Sequence, residues 1–154
     1  MQPHASTQKQ YTQEMADELS HFLADSYALY LKTQHFHWNV TGPNFPALHK
    51  LFEEQYQELA HAIDEIAERI RALGCVAPAS FSHFQKLSSL KEEQGVPSAE
   101  DMIKKLFKDH EIVSNHAAMI LEKAQNADDE VTADLLIQRM HAHDKTAWML
   151  RSSI

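Results

Sequence analysis

A chain of 154 residues with a formal net charge of −8, from 14 Lys and Arg against 22 Asp and Glu, has the size of one domain. The acidity disfavours simple attraction to a phosphate backbone, and a single cysteine, Cys75, excludes a disulfide framework and fits a reducing compartment. Three glycines and five prolines are too few for an all-β sandwich or barrel, while eleven histidines are a first hint of chemistry.

Residues 1–9 read as a short polar N-terminal tail, and residues 10–154 as one domain. The opening MQPHASTQKQYTQE has no apolar run, so no secretory signal is expected, and no stretch approaches a membrane span. A cytoplasmic protein is the expectation. The first helical segment runs from about Gln10 to His37, with Met15, Leu19, Phe22, Leu23, Tyr27 and Tyr30 on one stripe. Thr41-Gly42-Pro43-Asn44 breaks it. The second begins near Phe45 with Pro46 in its first turn, carries Leu48, Phe52, Leu59, Ile63, Ile66, Ile70 and Leu73, and stops at Gly74.

Between Cys75 and Pro97 lies a connection too long for a structureless loop in a compact domain. Phe81, Phe84, Leu87 and Leu90 recur every third position there, which predicts a short helix. The third long segment starts at Ser98, where Ser98-Ala99-Glu100-Asp101 resembles a capping box with Asp for Glu. Its stripe is Ile103, Leu106, Phe107, His110, Val113, Ala117, Ile120 and Ala124. The fourth follows Asp128-Asp129-Glu130, acids suited to a helix N-terminus, and carries Val131, Leu135, Met140, Ala147 and Trp148. The expected fold is all-α: a four-helix bundle with a short extra helix between helices 2 and 3.

Bundles build metal sites from side chains on facing helices. Glu-x-x-His places a carboxylate and an imidazole on one face, and it occurs at Glu18–His21 and Glu58–His61. The fourth helix has no copy, which weakens a conventional di-iron centre and leaves solvated surface as the plainer reading. His37, His49, Asp64 and Glu68 form a mixed nitrogen and oxygen set suited to iron or another first-row metal. Asp64 and Glu68 share a helical face one turn apart. His49 and Asp64 are fifteen positions apart, which is roughly 22 Å along a helix, too far to share one ion. On a helical wheel His49, Glu53, Asp64 and Glu68 line one flank, and Ala60 and Ala67 on that flank permit another helix to approach. An antiparallel twofold partner would bring His49 of one chain to Asp64 and Glu68 of the other, giving two equivalent shared sites.

The run His35-Phe36-His37-Trp38-Asn39-Val40-Thr41-Gly42-Pro43-Asn44-Phe45, then Leu48-His49, then Ile63-Asp64-Glu65-Ile66-Ala67-Glu68-Arg69, resembles the Dps family, or mini-ferritins. Asp144-Lys145-Thr146-Ala147-Trp148 adds to it, and the resemblance spans nearly the whole chain. It implies a ferritin-like bundle and places ferroxidase histidines on His37 and His49 and ferroxidase carboxylates on Asp64 and Glu68. Glu53 matches a position that often holds a second iron or a bridging water. The resemblance further implies a hollow dodecamer built on twofold dimers. It would oxidise Fe(II), preferably with hydrogen peroxide, at a two-iron site and store a ferric mineral core, protecting against oxidative stress.

Asp128, Asp129, Glu130 and Asp134 fall where family members carry pore acids, although helix capping explains the first three equally well. His35 reads as a surface histidine rather than a further ligand. Trp38 and Trp148 are expected mainly to pack, Cys75 to be a small buried hydrophobe, and His141 and His143 carry no assignment. Many Dps proteins bind DNA, so a DNA-compacting protein with secondary iron chemistry is the alternative. Through Tyr11 the chain has only Lys9 as a fixed positive charge, so DNA binding is expected to be weak.

Overall fold

The computed structural model describes residues 5–154, the side chains of 5–7 excepted. Five helices follow in order: α1 Ala5–Asn39, α2 Phe45–Ala72, α3 Phe81–Leu87, α4 Ala99–Asn126 and α5 Glu130–Arg151. There is no strand among the described residues, and no helix is long and apolar enough to cross a membrane. The part of the expected tail at residues 1–4 lies outside the described residues. From Ala5 the backbone is already helical, five residues ahead of the predicted start at Gln10.

Local chemistry sets the helix ends. Ser98 caps α4 by accepting from the Asp101 N–H, as the capping box predicts, and α2 carries Pro46 as its second residue. At the far end of α2, Gly74 adopts φ 93°, its N–H donates to Arg71, and the Cys75 N–H reaches back to the Ile70 carbonyl. That paired closure satisfies two carbonyls the helix would otherwise leave open. The end of α4 repeats it without glycine. Asp128 stands at φ 56°, its N–H donates to Gln125, and the Asp129 N–H donates to Ala124. Asp129 then caps α5 by accepting from the Thr132 N–H. One residue closes one helix and opens the next.

The long helices pack in the cyclic order α1, α2, α5, α4, with α3 lying on α1. Phe22, Phe36, Phe52, Met15, Leu19, Leu59, Ile66, Ile70 and Leu106 fill the centre, each essentially inaccessible to solvent. The connection from α2 to α4 is tied to α1 by polar groups. Buried Asp25 accepts from Ser88 Oγ, Ser89 N and Ser89 Oγ at 2.7–2.9 Å, with His116 Nδ1 at 3.3 Å. These donors hold its carboxyl below the usual carboxylate range despite burial. Lys32 donates to the Lys91 carbonyl further along.

Three packing expectations are corrected. Val131 and Trp148 are 64% and 54% exposed; the core face of α5 is Thr132, Ala133, Leu136, Arg139, His143, Ala147 and Leu150. Polar residues hold three of those seven positions, so an apolar stripe misplaces the face. Trp38 is 62% exposed because Phe36 and Val40 take the core side of the end of α1. Cys75 is half-buried against the core, since the turn after α2 leaves it at the rim.

Candidate functional site

His37 lies in the last turn of α1 and His49 near the start of α2, facing each other across the Thr41–Asn44 break. Their rings stack with centroids 3.8 Å apart and planes 13° from parallel. His37 Nδ1 is 2.6 Å from the His49 carbonyl, and His49 Nδ1 is 2.7 Å from the His37 carbonyl. The His37 carbonyl is free to accept because it belongs to the open end of α1. A carbonyl can only accept, so each Nδ1 carries the proton and each Nε2 keeps its lone pair. Fixing the tautomer through a backbone carbonyl is how proteins orient metal-binding imidazoles. Phe45 stacks on His49 at 5.1 Å and Tyr56 stands edge-on to His37 at 5.2 Å, holding the pair from both sides.

Asp64 and Glu68 are exposed one turn apart on α2. Neither they nor half-buried Glu53 forms an ion pair with a basic side chain among the described residues. The Asp64 charge, followed by a hydrogen bond that the Glu68 carboxyl donates to that side chain, holds the Glu68 carboxyl above its usual range. Two acids that repel each other attract a cation that can sit between them. Within one chain the histidines and acids stay apart, and no three His, Cys, Asp or Glu converge on one point among the described residues. Beside the acids an apolar groove of about 390 Å³ opens between α1, α2 and α3, lined by Leu23, Tyr27, Ile63, Ala67, Phe81 and Phe84.

The remaining candidates are committed to other partners. Glu18 pairs with Lys123 and Glu58 with Arg139, while His21 bonds the Leu87 carbonyl and His61 pairs with Glu65. Neither Glu-x-x-His motif is left as a ligand set. His35 donates from Nε2 to the Gly95 carbonyl at 2.8 Å and accepts at Nδ1 from Asn39, which uses both nitrogens. Asp129 accepts from Tyr11 and Arg69 besides capping α5. Asp128 and Glu130 are exposed, and exposed Asp134 accepts from Gln138.

A ferritin-like domain model matches residues 16–154. The chain is 45% identical to a low temperature-induced protein of Nostoc sp. over 88% of its length and 77% of that protein. To the DNA protection during starvation protein 2 of Bacillus anthracis it is 41% identical, over 90% of this chain and 95% of that one. The chain belongs to the Dps family. The Dps crystal structure from Vibrio cholerae, described as a member of the ferritin-like diiron-carboxylate superfamily, superposes with a TM-score of 0.91. It is 33% identical and the match covers 94% of this chain and 91% of that one.

This Dps-family bundle also buries a polar layer that reading the sequence missed. His110 and His143 place their Nδ1 atoms 2.8 Å apart, Arg139 Nη2 is 3.2 Å from His143 Nε2, and Arg139 forks onto Glu58. Burial, then the positive Arg139, pushes His110 down to about 3, and burial, then His110 and Arg139, pushes His143 well below its ordinary value. The apolar stripe expected on α4 includes His110, a buried polar residue. The only sequence signal for its partner is the i,i+4 spacing of Arg139 and His143.

Proposed function

We propose that this chain is a Dps-type mini-ferritin that oxidises Fe(II) with hydrogen peroxide and stores the ferric product inside a cytoplasmic dodecamer. The observation that carries the reading is the His37–His49 pair, whose Nε2 lone pairs are both left available by the reciprocal Nδ1–carbonyl bonds. The complementary half is the unpaired acids Asp64 and Glu68, with Glu53 on the same flank. A twofold partner covering the groove at Ile63 and Ala67 would complete each site from two chains.

Iron is the substrate here. Neutral imidazoles supply nitrogen donors from one subunit, and the acids supply negative charge and oxygen donors from the other. So few protein ligands leave room for peroxide and let the ferric product depart. Two Fe(II) give one electron each, and with two protons they reduce one peroxide to two waters, so no hydroxyl radical is released. The protein's part is to hold the donors and the field in place. A charge of −8 per chain argues against nucleic acid as the principal partner.

Co-assembly tests the shared site. His49→Ala and Asp64→Ala should each abolish rapid Fe(II) oxidation. In a mixed twofold pair one site receives both lesions and the other receives none. Equal random mixing therefore restores about a quarter of the sites. Mixed particles of confirmed composition that stay as inactive as their parents overturn the shared site. Parents that keep full activity overturn the ferroxidase assignment itself.

A further inference from the structure

We propose that the bundle core holds an internal water, bound between His110 on α4 and Gln55 on α2. The protons of the buried relay can be placed one at a time. Arg139 Nη2 only donates, so His143 Nε2 accepts from it and His143 carries its proton on Nδ1. That proton is donated to His110 Nδ1, 2.8 Å away, so neutral His110 carries its own on Nε2. The relay therefore runs from Glu58 through Arg139 and His143 and ends on a donor pointing into the core.

That terminal donor has no protein partner, although His110 is 2% exposed. Gln55, 6% exposed, has both its amide oxygen and its amide nitrogen unpartnered. Contacts around them bring the two residues to one level of the bundle. Glu58 on α2 bonds Arg139, His143 follows Arg139 by one turn on antiparallel α5, and Gln55 precedes Glu58 by nearly one turn on α2. His143 in turn bonds His110.

A site that offers a donor from His110 and both a donor and an acceptor from Gln55 fits a molecule that both accepts and donates. Water has that capacity and size, and buried waters in proteins typically make about three hydrogen bonds to such orphaned groups. Leaving them unpaired would cost far more than immobilising one water. A cation is excluded by the Arg139 guanidinium and by the inward N–H of His110.

The intact protein, crystallised at a resolution that shows ordered solvent, provides the first test. Density is expected within hydrogen-bonding distance of both His110 Nε2 and the Gln55 amide. A direct His110–Gln55 hydrogen bond with no density between them overturns the proposal. Gln55→Met provides the second. It removes the water's other partner and strands the His110 N–H, so Tm should fall by roughly 3–6 °C. If the site is dry, the same substitution removes an orphaned amide from the core and Tm rises, which also overturns it.

Discussion

Two pairs of histidines are held by opposite logic. His37 and His49 give their Nδ1 protons to backbone carbonyls, stack face to face, and keep two lone pairs unspent at the rim of the bundle. His110 and His143 bond to each other, spend one of those lone pairs on Arg139, and lie sealed in the core. The residue type is the same, and what differs is where the protons are directed and which charge stands nearby. Glu53, which forms no ion pair among the described residues, follows His49 by one turn on α2, and a guanidinium adjoins the second pair. Only the first keeps both Nε2 lone pairs open, as the proposed iron site requires.

The largest effect that separates the pairs is kinetic. His49→Ala should slow Fe(II) oxidation about 100-fold or more, because a ligand and the clamp on His37 go together. His143→Phe should leave the rate unchanged and lower stability by about 2–4 kcal/mol, because Arg139 and His110 each lose a buried partner. Stopped-flow oxidation and denaturant unfolding of both variants give the comparison. Equal losses of oxidation in the two would erase it.

A second separation lies in pH. His110 titrates near 3 in the folded chain against 6.5 when unfolded, and His143 is also strongly depressed. Depressed folded values mean that the unfolded chain binds protons first. The stability contributed by keeping both rings neutral is thus complete above about pH 6.5 and is lost as pH falls towards 3. With both rings involved the slope approaches about 2.7 kcal/mol per pH unit, and His143→Phe should roughly halve it. Asp25, whose folded value is also lowered, adds to the loss only once pH falls through the carboxylate range. Urea midpoints between pH 7 and pH 4 measure the slope, and a flat profile in the parent protein would contradict the buried neutral pair.

The smallest effect is a control. His35→Gln should leave oxidation intact and cost at most about 1 kcal/mol, since His35 ties α1 to the Gly95 carbonyl with both nitrogens engaged. A slowed reaction in that variant would move His35 into the ligand set.

The same contrast marks what could be read from the residues alone. On α2, apolar residues at helical spacing, proline at the start and Gly74 at the end all agree, and the helix lies where they place it. On α5 the buried face includes Thr132, Arg139 and His143. Their partners Arg69, Glu58 and His110 come from α2 and α4, far away in the chain, so no local pattern reveals the face. The short helix in the α2–α4 connection was legible from its apolar spacing, but its anchor on Asp25 was not, because that bond joins residues more than sixty positions apart. For the candidate site, the axial gap between His49 and Asp64 was simple arithmetic. The reciprocal bonds that fix both tautomers depend on how two helix ends meet, which spacing does not convey.

The turn from α4 into α5 has no slack. Asp128 and Asp129 complete the closure of one helix, Asp129 opens the next, and Tyr11 and Arg69 bind that same carboxylate from α1 and α2. Adding a single residue there would either break the closure or swing α5 by about 100°, carrying His143 and Arg139 off the core. The α4–α5 link therefore behaves as a fixed gauge between two halves of the bundle. An insertion or deletion there changes which face α5 turns to the core, so a grafted peptide belongs elsewhere.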